Sequence, residues 1–498
     1  MKKHSKRHAP NKQYVSVNQL EISGFESPFY QNLDSSNRWV RLANQIPWDE
    51  LVSLYNKRHA SKATGRPPLN PRIIIGAMII KHMCNLDDRE TISQITENMY
   101  MQYFIGYSGF SKEPPFDPSL FVEIRKRMGE DLISEMNLCI LGLSKNEGSE
   151  GSASDDDPPT HRGELIVDAT ACPQDIAYPT DLNLLNKSRE ITESIIDKLH
   201  VRGETKPRTY RKIARKNYLQ VAQNRNPSRK TIRKGVGKQL NYLRRNIQYI
   251  ERLLNKHTDF PLNAKEQKQY WVIQNVYHQQ QEMYSERKHK VDDRIVSIHQ
   301  PHVRPIVRGK ARAKVEFGSK LHLSLVDGIA FVDTISWDAY NEGVHLIDYV
   351  ENYKSRFGYY PEKVLADKAY CTRKNRQWLK ENEIKLAAKP LGRPSAKAVE
   401  NHVSPGERNP IEGKFGQAKN GYGLNRIRAR LKHTSQSWIA SIILVLNLVH
   451  LARQASYCLS FSACARVILE EIENILSKIS DPLVLLRQHI TQRAVFNK

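Results

Sequence analysis

Hydrophobic positions change their period along this chain, and the change divides it. From Trp39 to Tyr55 apolar residues recur at helical spacing, at Val40, Leu42, Ile46, Leu51 and Leu54. RIIIGAMIIKHMCNL, from Arg72, reads as a buried helix. DDRETISQITENMYMQYFIG reads as the next one, with Asp87 or Asp88 at its start. The breaker cluster GRPPLNP (Gly65–Pro71) precedes this pair. PPFDPSLF (Pro114–Phe121) is a turn that leads into FVEIRKRMGEDLISEMNLCILGLSK, again helical. Residues 1–145 are therefore expected to form a helical unit, with a polar, basic arm over 1–20. KNEGSEGSASDDDPPTHRG has linker composition, and a boundary falls at 146–162.

Beyond it the period shortens. ELIVDATA (Glu164–Ala171) is a short apolar strand. VEFGSKLHLSLVD alternates, and IAFVDTISW follows an Asp327-Gly328 turn, which predicts a β-hairpin. GVHLIDYVENYKSRFG predicts a helix and PEKVLADKAY a buried strand. TRKNRQWLKENE predicts a helix capped by Thr372, and IKLAAKP a further strand. The helix RNPIEGKFGQAK and the apolar run Ile439–Ala452 close the series. The fold class is α/β, a mixed sheet with helices on its faces. The sheet is assigned to 163–184 and 313–455, and a helical tail to 456–498. Between the two sheet segments lies an insertion, 185–312. In it Leu240, Leu243, Ile247, Ile250 and Leu254 mark one helix face, and Tyr270, Ile273, Val276, Tyr277 and Met283 mark another, an αα-hairpin. Trp271 and Trp438 are expected in the core.

Charge adds a partner. The net charge is +24 over 498 residues, which favours a polyanion, most often nucleic acid. Lys198 to His257 carries eighteen Lys and Arg against two acids. Tyr210, Tyr218 and Tyr242 are interleaved, so Arg208, Arg211, Lys212, Arg215, Lys216, Arg229, Lys230, Arg233 and Lys234 are candidate DNA contacts. A solvated face, or dimerisation through the hairpin, is the alternative reading. No membrane role is expected: the run Ile439–Ala452 falls short of the roughly 20 residues of a span. MKKHSKRHAP lacks the apolar stretch of a signal peptide. The six cysteines are scattered with no CxxC pair, which fits the cytoplasm and ordinary core positions.

Three acids stand out against this background. Asp168 and Asp367 each close a predicted strand, and Glu412 sits alone among basic residues on the helix after the last strand. Sites in α/β sheets assemble at strand ends. Two Asp and one Glu so placed are suited to two Mg²⁺ ions about 4 Å apart, the arrangement for phosphoryl transfer. Mn²⁺ is expected to substitute. Asp175 and Asp181 are rivals to Asp168, but they follow Pro173 and Pro179 in irregular sequence. His322 either lines the site or packs. Arg408 and Lys419 flank Glu412 at four before and seven after, near its helical face. Lys414, Arg426, Arg428 and Arg430 extend the basic run, and all six are candidate DNA contacts.

These residues resemble the triad of the DDE transposases of bacterial insertion sequences, which carry an RNase H-like catalytic domain. Arg408, Glu412 and Lys419 fall on the last three positions of their signature Tyr-x2-Arg-x3-Glu-x6-Lys. Pro405 stands at the tyrosine position, a departure that touches a terminal-phosphate contact and leaves the acids intact. The N-terminal unit with GRPPLNP and PPFDPSLF is similar to the N-terminal domain of the same enzymes. HQPHVRPIVRGKARAKVEFGSKLHL, leading into the second strand, is also similar. The resemblance covers roughly 65–455. It implies metal-dependent cleavage at element ends, then attack of the freed 3′-hydroxyl on target DNA. It also implies double-stranded DNA partners (terminal inverted repeats and target) and a homodimer in the synaptic complex. A nuclease without strand transfer and an inactive, DNA-binding descendant are the alternatives.

Overall fold

A computed structural model describes residues 33–59, 68–143, 160–201, 203–257, 261–307, 315–338, 340–388 and 405–454. The N-terminal arm, nearly all of the linker, the 456–498 tail, Cys458 and Cys464 lie outside the described residues.

Seven helices come first: α1 (Arg38–Gln45), α2 (Trp48–Arg58), α3 (Pro71–Met83), α4 (Asp88–Glu97), α5 (Met99–Phe104), α6 (Leu120–Arg127) and α7 (Glu130–Ile140). Their breaks have local causes. Pro47 splits the Trp39–Tyr55 pattern into two helices. Asp87 caps α4 by accepting the Arg89 and Glu90 N–H groups. Asn98 ends α4 and caps α5.

Six strands form one mixed sheet: β1 (Glu164–Pro173), β2 (Arg304–Val307), β3 (Val315–Val326), β4 (Ile329–Ser336), β5 (Lys363–Leu365) and β6 (Lys385–Ala387). The order runs β3-β1-β5-β6, with β2 and β4 both paired to β3. β1 pairs antiparallel with β3, and β1, β5 and β6 are parallel. The β3–β4 hairpin turns on Asp327 and Gly328, both at positive φ (48° and 79°), as a two-residue hairpin turn requires. α12 (Leu346–Phe357) and α13 (Arg373–Glu381) cover one face, over Leu165, Val167, Val326 and Phe331. Thr372 caps α13. α14 (Asn409–Gly421) and α15 (Lys432–Gln454) cover the other, over Ile166, Leu321, Leu323 and Leu325.

α15 is apolar all round because two cores use it. Ile439, Ile442, Ile443 and Leu446 face the sheet, while Ala440, Leu444, Val445 and Leu448 enter the core of the N-terminal helices. At 23 residues it is long and apolar enough to cross a membrane, yet its apolar window is 72% buried within the protein. Asn447 pins it, donating to the Asn137 Oδ1 (3.0 Å) and the Ala330 carbonyl (2.7 Å) and accepting the Ala330 N–H (2.9 Å). Trp438, buried as expected, meets the cations Lys81 and Arg125 of the helical unit at 4.7 and 5.5 Å from its ring centre.

The insertion holds four helices, α8 (Asp181–Leu199), α9 (Arg211–Ala222), α10 (Arg229–Leu254) and α11 (Ala264–Ser285). They close a separate core running from Leu182 to Ile298. Leu240, Leu243, Ile247 and Ile250 face inward as predicted. Trp271 does not: it is 58% exposed on α11, contrary to the sequence expectation.

Candidate functional site

Sheet register brings the two aspartates together. Ile166 of β1 pairs with Leu365 of β5 in parallel, so Asp168 and Asp367 each stand two residues further on, in matching positions. Asp168 is mid-strand and its side chain is 19% exposed. Asp367 lies just past its short strand and caps the turn Lys368–Tyr370, accepting the Lys368 N–H at 2.7 Å. Between them sits one cation. Arg408 reaches Asp168 Oδ2 at 3.2 Å through Nη2 and Asp367 Oδ1 at 3.3 Å through Nη1. Its Nε is buried without a partner. Burial pushes the Asp168 carboxyl above its usual range. The Ala169 N–H and Arg408 oppose that rise, and Glu342 and Asp367 add to it.

Glu412 occupies the first turn of α14, one turn after Arg408, and is exposed. Ile411, Phe415 and Ala418 of α14 pack onto the sheet. Among the described residues no group of three His, Cys, Asp or Glu is close enough together to hold a metal ion. The structure therefore gathers Asp168 and Asp367 and leaves Glu412 outside their contact. The donor set fits a hard divalent cation, which takes carboxylate oxygens and keeps several waters. The Arg408 guanidinium bridges the two aspartates.

The predicted DNA contacts divide. Lys414 is buried and donates to the Gly328 carbonyl at 2.7 Å, so it is a structural lysine and leaves the set. Desolvation brings its pKa down to about 8. Arg408 faces the aspartates instead of open solvent. Arg426 pairs with Asp175 at 3.0 Å, which occupies that rival acid, while Asp181 pairs with Arg294. Arg428 and Arg430 are exposed, and Lys419 is half-buried. In the insertion all nine candidates from Arg208 to Lys234 are exposed. Arg211 pairs with Asp197, and Arg208 and Arg233 lie over the Tyr210 and Tyr284 rings.

The sequence does not single out Glu342, and it leaves His322 between lining the site and packing. Glu342, paired with Lys320, is a charged neighbour of Asp168. His322, fully buried, joins Asp333 and Tyr370. His322 therefore packs instead of lining the site, and Tyr370, its partner, follows Asp367 by three residues.

Residues 364–449 match the family model described as Transposase DDE domain, a span that holds Asp367 and Glu412 but not Asp168. Residues 27–127, covering α1 to α6, match one described as Transposase domain (DUF772). The chain is similar to a Rhizobium meliloti protein named "Uncharacterized protein ORF8 in nfe locus". The two are 30% identical over 152 residues, 30% of this chain and 69% of that protein. The chain belongs to the DDE transposases of insertion sequences.

Proposed function

We propose that this chain cuts DNA at the ends of its insertion sequence and joins those ends to target DNA, using Asp168, Asp367 and Glu412 as metal-holding carboxylates. The observation that carries the reading is the register of β1 and β5, which sets two aspartates side by side around one cation. The strand order supports an RNase H-like domain built from 163–184 and 313–455. The support is the antiparallel β1, β3 and β4 beside the parallel β5 and β6, with Asp168 on β1 between β3 and β5. In this reading 1–145 is the N-terminal unit and 185–312 the DNA-facing insertion, except that its first helix begins at Asp181 and β2 (Arg304–Val307) joins the sheet. The protein works in the cytoplasm as a dimer on double-stranded DNA.

Two divalent ions, Mg²⁺ or Mn²⁺, supply activation of the attacking oxygen and charge relief at the leaving oxygen. The protein's own part is positioning and charge. Asp168 and Asp367 present hard oxygens from rigid backbone, and Glu412 adds a third from α14. Arg408, held between the aspartates, offsets their charge, and Lys419 on α14 offers charge to the scissile strand's phosphates. No covalent protein–DNA intermediate is required.

The test uses purified protein and a plasmid carrying the gene's own flanking ends, with Mg²⁺ or Mn²⁺. Wild type is expected to cut at the ends and give joined products, while Glu412→Gln binds the same DNA and cuts about 10²–10³-fold more slowly, on the scale of losing one essential stabilising group. Equal cleavage by both would remove Glu412 from the site. Cleavage away from the ends would favour a nuclease.

A further inference from the structure

The seat formed by Asp168 and Asp367 depends on two separate elements keeping their spacing, and one of them is slight. β5 is three residues long, and the Asp367 side chain is 55% exposed. The turn that begins at Asp367 therefore needs an anchor from elsewhere. Tyr370, fully buried, supplies it. Its backbone N–H bonds the Asp367 carbonyl at 3.0 Å, and its own carbonyl accepts from the buried Asn375 at 2.8 Å. Its hydroxyl lies 2.9 Å from His322 Nε2. His322 stands on β3 directly opposite Ala169, the residue after Asp168.

His322 is itself held from behind. The β3–β4 ladder slips between His322 and Leu323, whose partners are Thr334 and Val332, so Asp333 is the extra residue of a bulge. A bulge re-aims side chains. Here it turns the Asp333 carboxylate, wholly buried, onto His322 Nδ1 at 3.1 Å. Ser324 donates to the same oxygen, and Arg356 reaches the other at 3.2 Å. The His322 ring stacks on Tyr349 with centroids 3.7 Å apart. In the tautomer whose Nδ1 donates to Asp333, Nε2 accepts a hydrogen bond from the Tyr370 hydroxyl. Every polar atom of the His322 side chain is thus used, on the face of the sheet away from α14.

We infer that Tyr370, His322 and Asp333 are positioning residues for the aspartate pair. One buried hydrogen bond, Tyr370 to His322, ties the Asp367 turn to the strand beside Asp168. The inference rests on the metal-holding role proposed for those aspartates. Groups that orient ligand-bearing elements typically change metal affinity by 10–100-fold when removed.

The experiment measures Mn²⁺ binding by the full chain, through the resonance signal of the free ion, without DNA. It compares wild type, Asp168→Asn, Tyr370→Phe and Tyr353→Phe. Tyr353 is a control from the same apolar cluster, and its hydroxyl donates to the Arg162 carbonyl at 2.7 Å. Both Tyr→Phe changes are expected to lower Tm. Only Tyr370→Phe is expected to weaken Mn²⁺ binding, by about 10-fold, and excess Mn²⁺ should restore its cleavage. Wild-type Mn²⁺ affinity in Tyr370→Phe would overturn the inference and leave a purely structural tyrosine. Should Tyr370→Phe fail to fold, Asp333→Asn carries the same prediction from the far end. A wild type that binds Mn²⁺ no better than Asp168→Asn is a different failure. It would overturn the metal reading of the aspartates themselves.

Discussion

The N-terminal helices and the insertion are both helical, and both interrupt or precede the same sheet, yet they are joined to it in opposite ways. The N-terminal unit shares α15 with the sheet: Leu444 and Leu448 serve one core while Ile443 and Leu446 serve the other. Buried polar contacts cross the same boundary, at Asn447 and at Ser437, whose hydroxyl bonds the Met128 carbonyl at 2.6 Å. The insertion instead closes its own core around Leu185, Leu243 and Ile273. Its outer surface carries many of the eighteen Lys and Arg that lie between Lys198 and His257. Lys212, Arg215, Lys216, Arg229, Lys230 and Lys234 are exposed and in no ion pair among the described residues. One helical region shares a core with the sheet, and the other closes its own core and carries exposed positive charge.

The difference can be broken first at the cores. Leu444→Ala and Leu243→Ala each remove a buried leucine and are each expected to cost about 2–5 kcal/mol. Hydrogen exchange should separate them. Leu444→Ala should raise exchange in the N-terminal helices and the sheet together, whereas Leu243→Ala should raise it in α8–α11 and leave the sheet protected. Exchange rising only in the N-terminal helices of Leu444→Ala would show that α15 does not join the two.

A smaller effect sharpens the electrostatic side. Each of Arg215→Gln and Lys230→Gln is expected to reduce the slope of log affinity against log salt by about 0.9, the signature of one lost phosphate contact. Lys414→Gln, which alters a buried lysine, should leave that slope unchanged. An unchanged slope in the insertion variants would make its charge a solvated face.

Much of the catalytic body was legible because short-range patterns are honest there. The alternation of Val315–Val326, the Asp327-Gly328 turn and the Thr372 cap all reappear where their chemistry requires. Asp367 at its strand end came from the same logic, whereas β1 runs on to Pro173 and leaves Asp168 mid-strand instead of closing it. Other features were legible but overlooked. Lys414 lies three residues after Ile411 and four before Ala418, on the buried stripe of α14, so periodicity alone marks it as inward-facing. Thr180 caps α8, and Leu182, Leu185, Ile195, Ile196 and Leu199 trace its inner face, so the insertion's core begins before residue 185. The Asp333 bulge and the bridging of two aspartates by Arg408 depend on long-range register, which local pattern does not encode.

The central claim is that Asp168, Asp367 and Glu412 hold a divalent cation together. It is tested most directly by replacing Mg²⁺ with Fe²⁺ under ascorbate and peroxide and mapping where the chain is cut by radicals generated at the bound ion. The account predicts fragments ending near residues 168, 367 and 412, suppressed by excess Mg²⁺ and absent in Asp168→Asn. Fragments elsewhere, or the same fragments in Asp168→Asn, would contradict it.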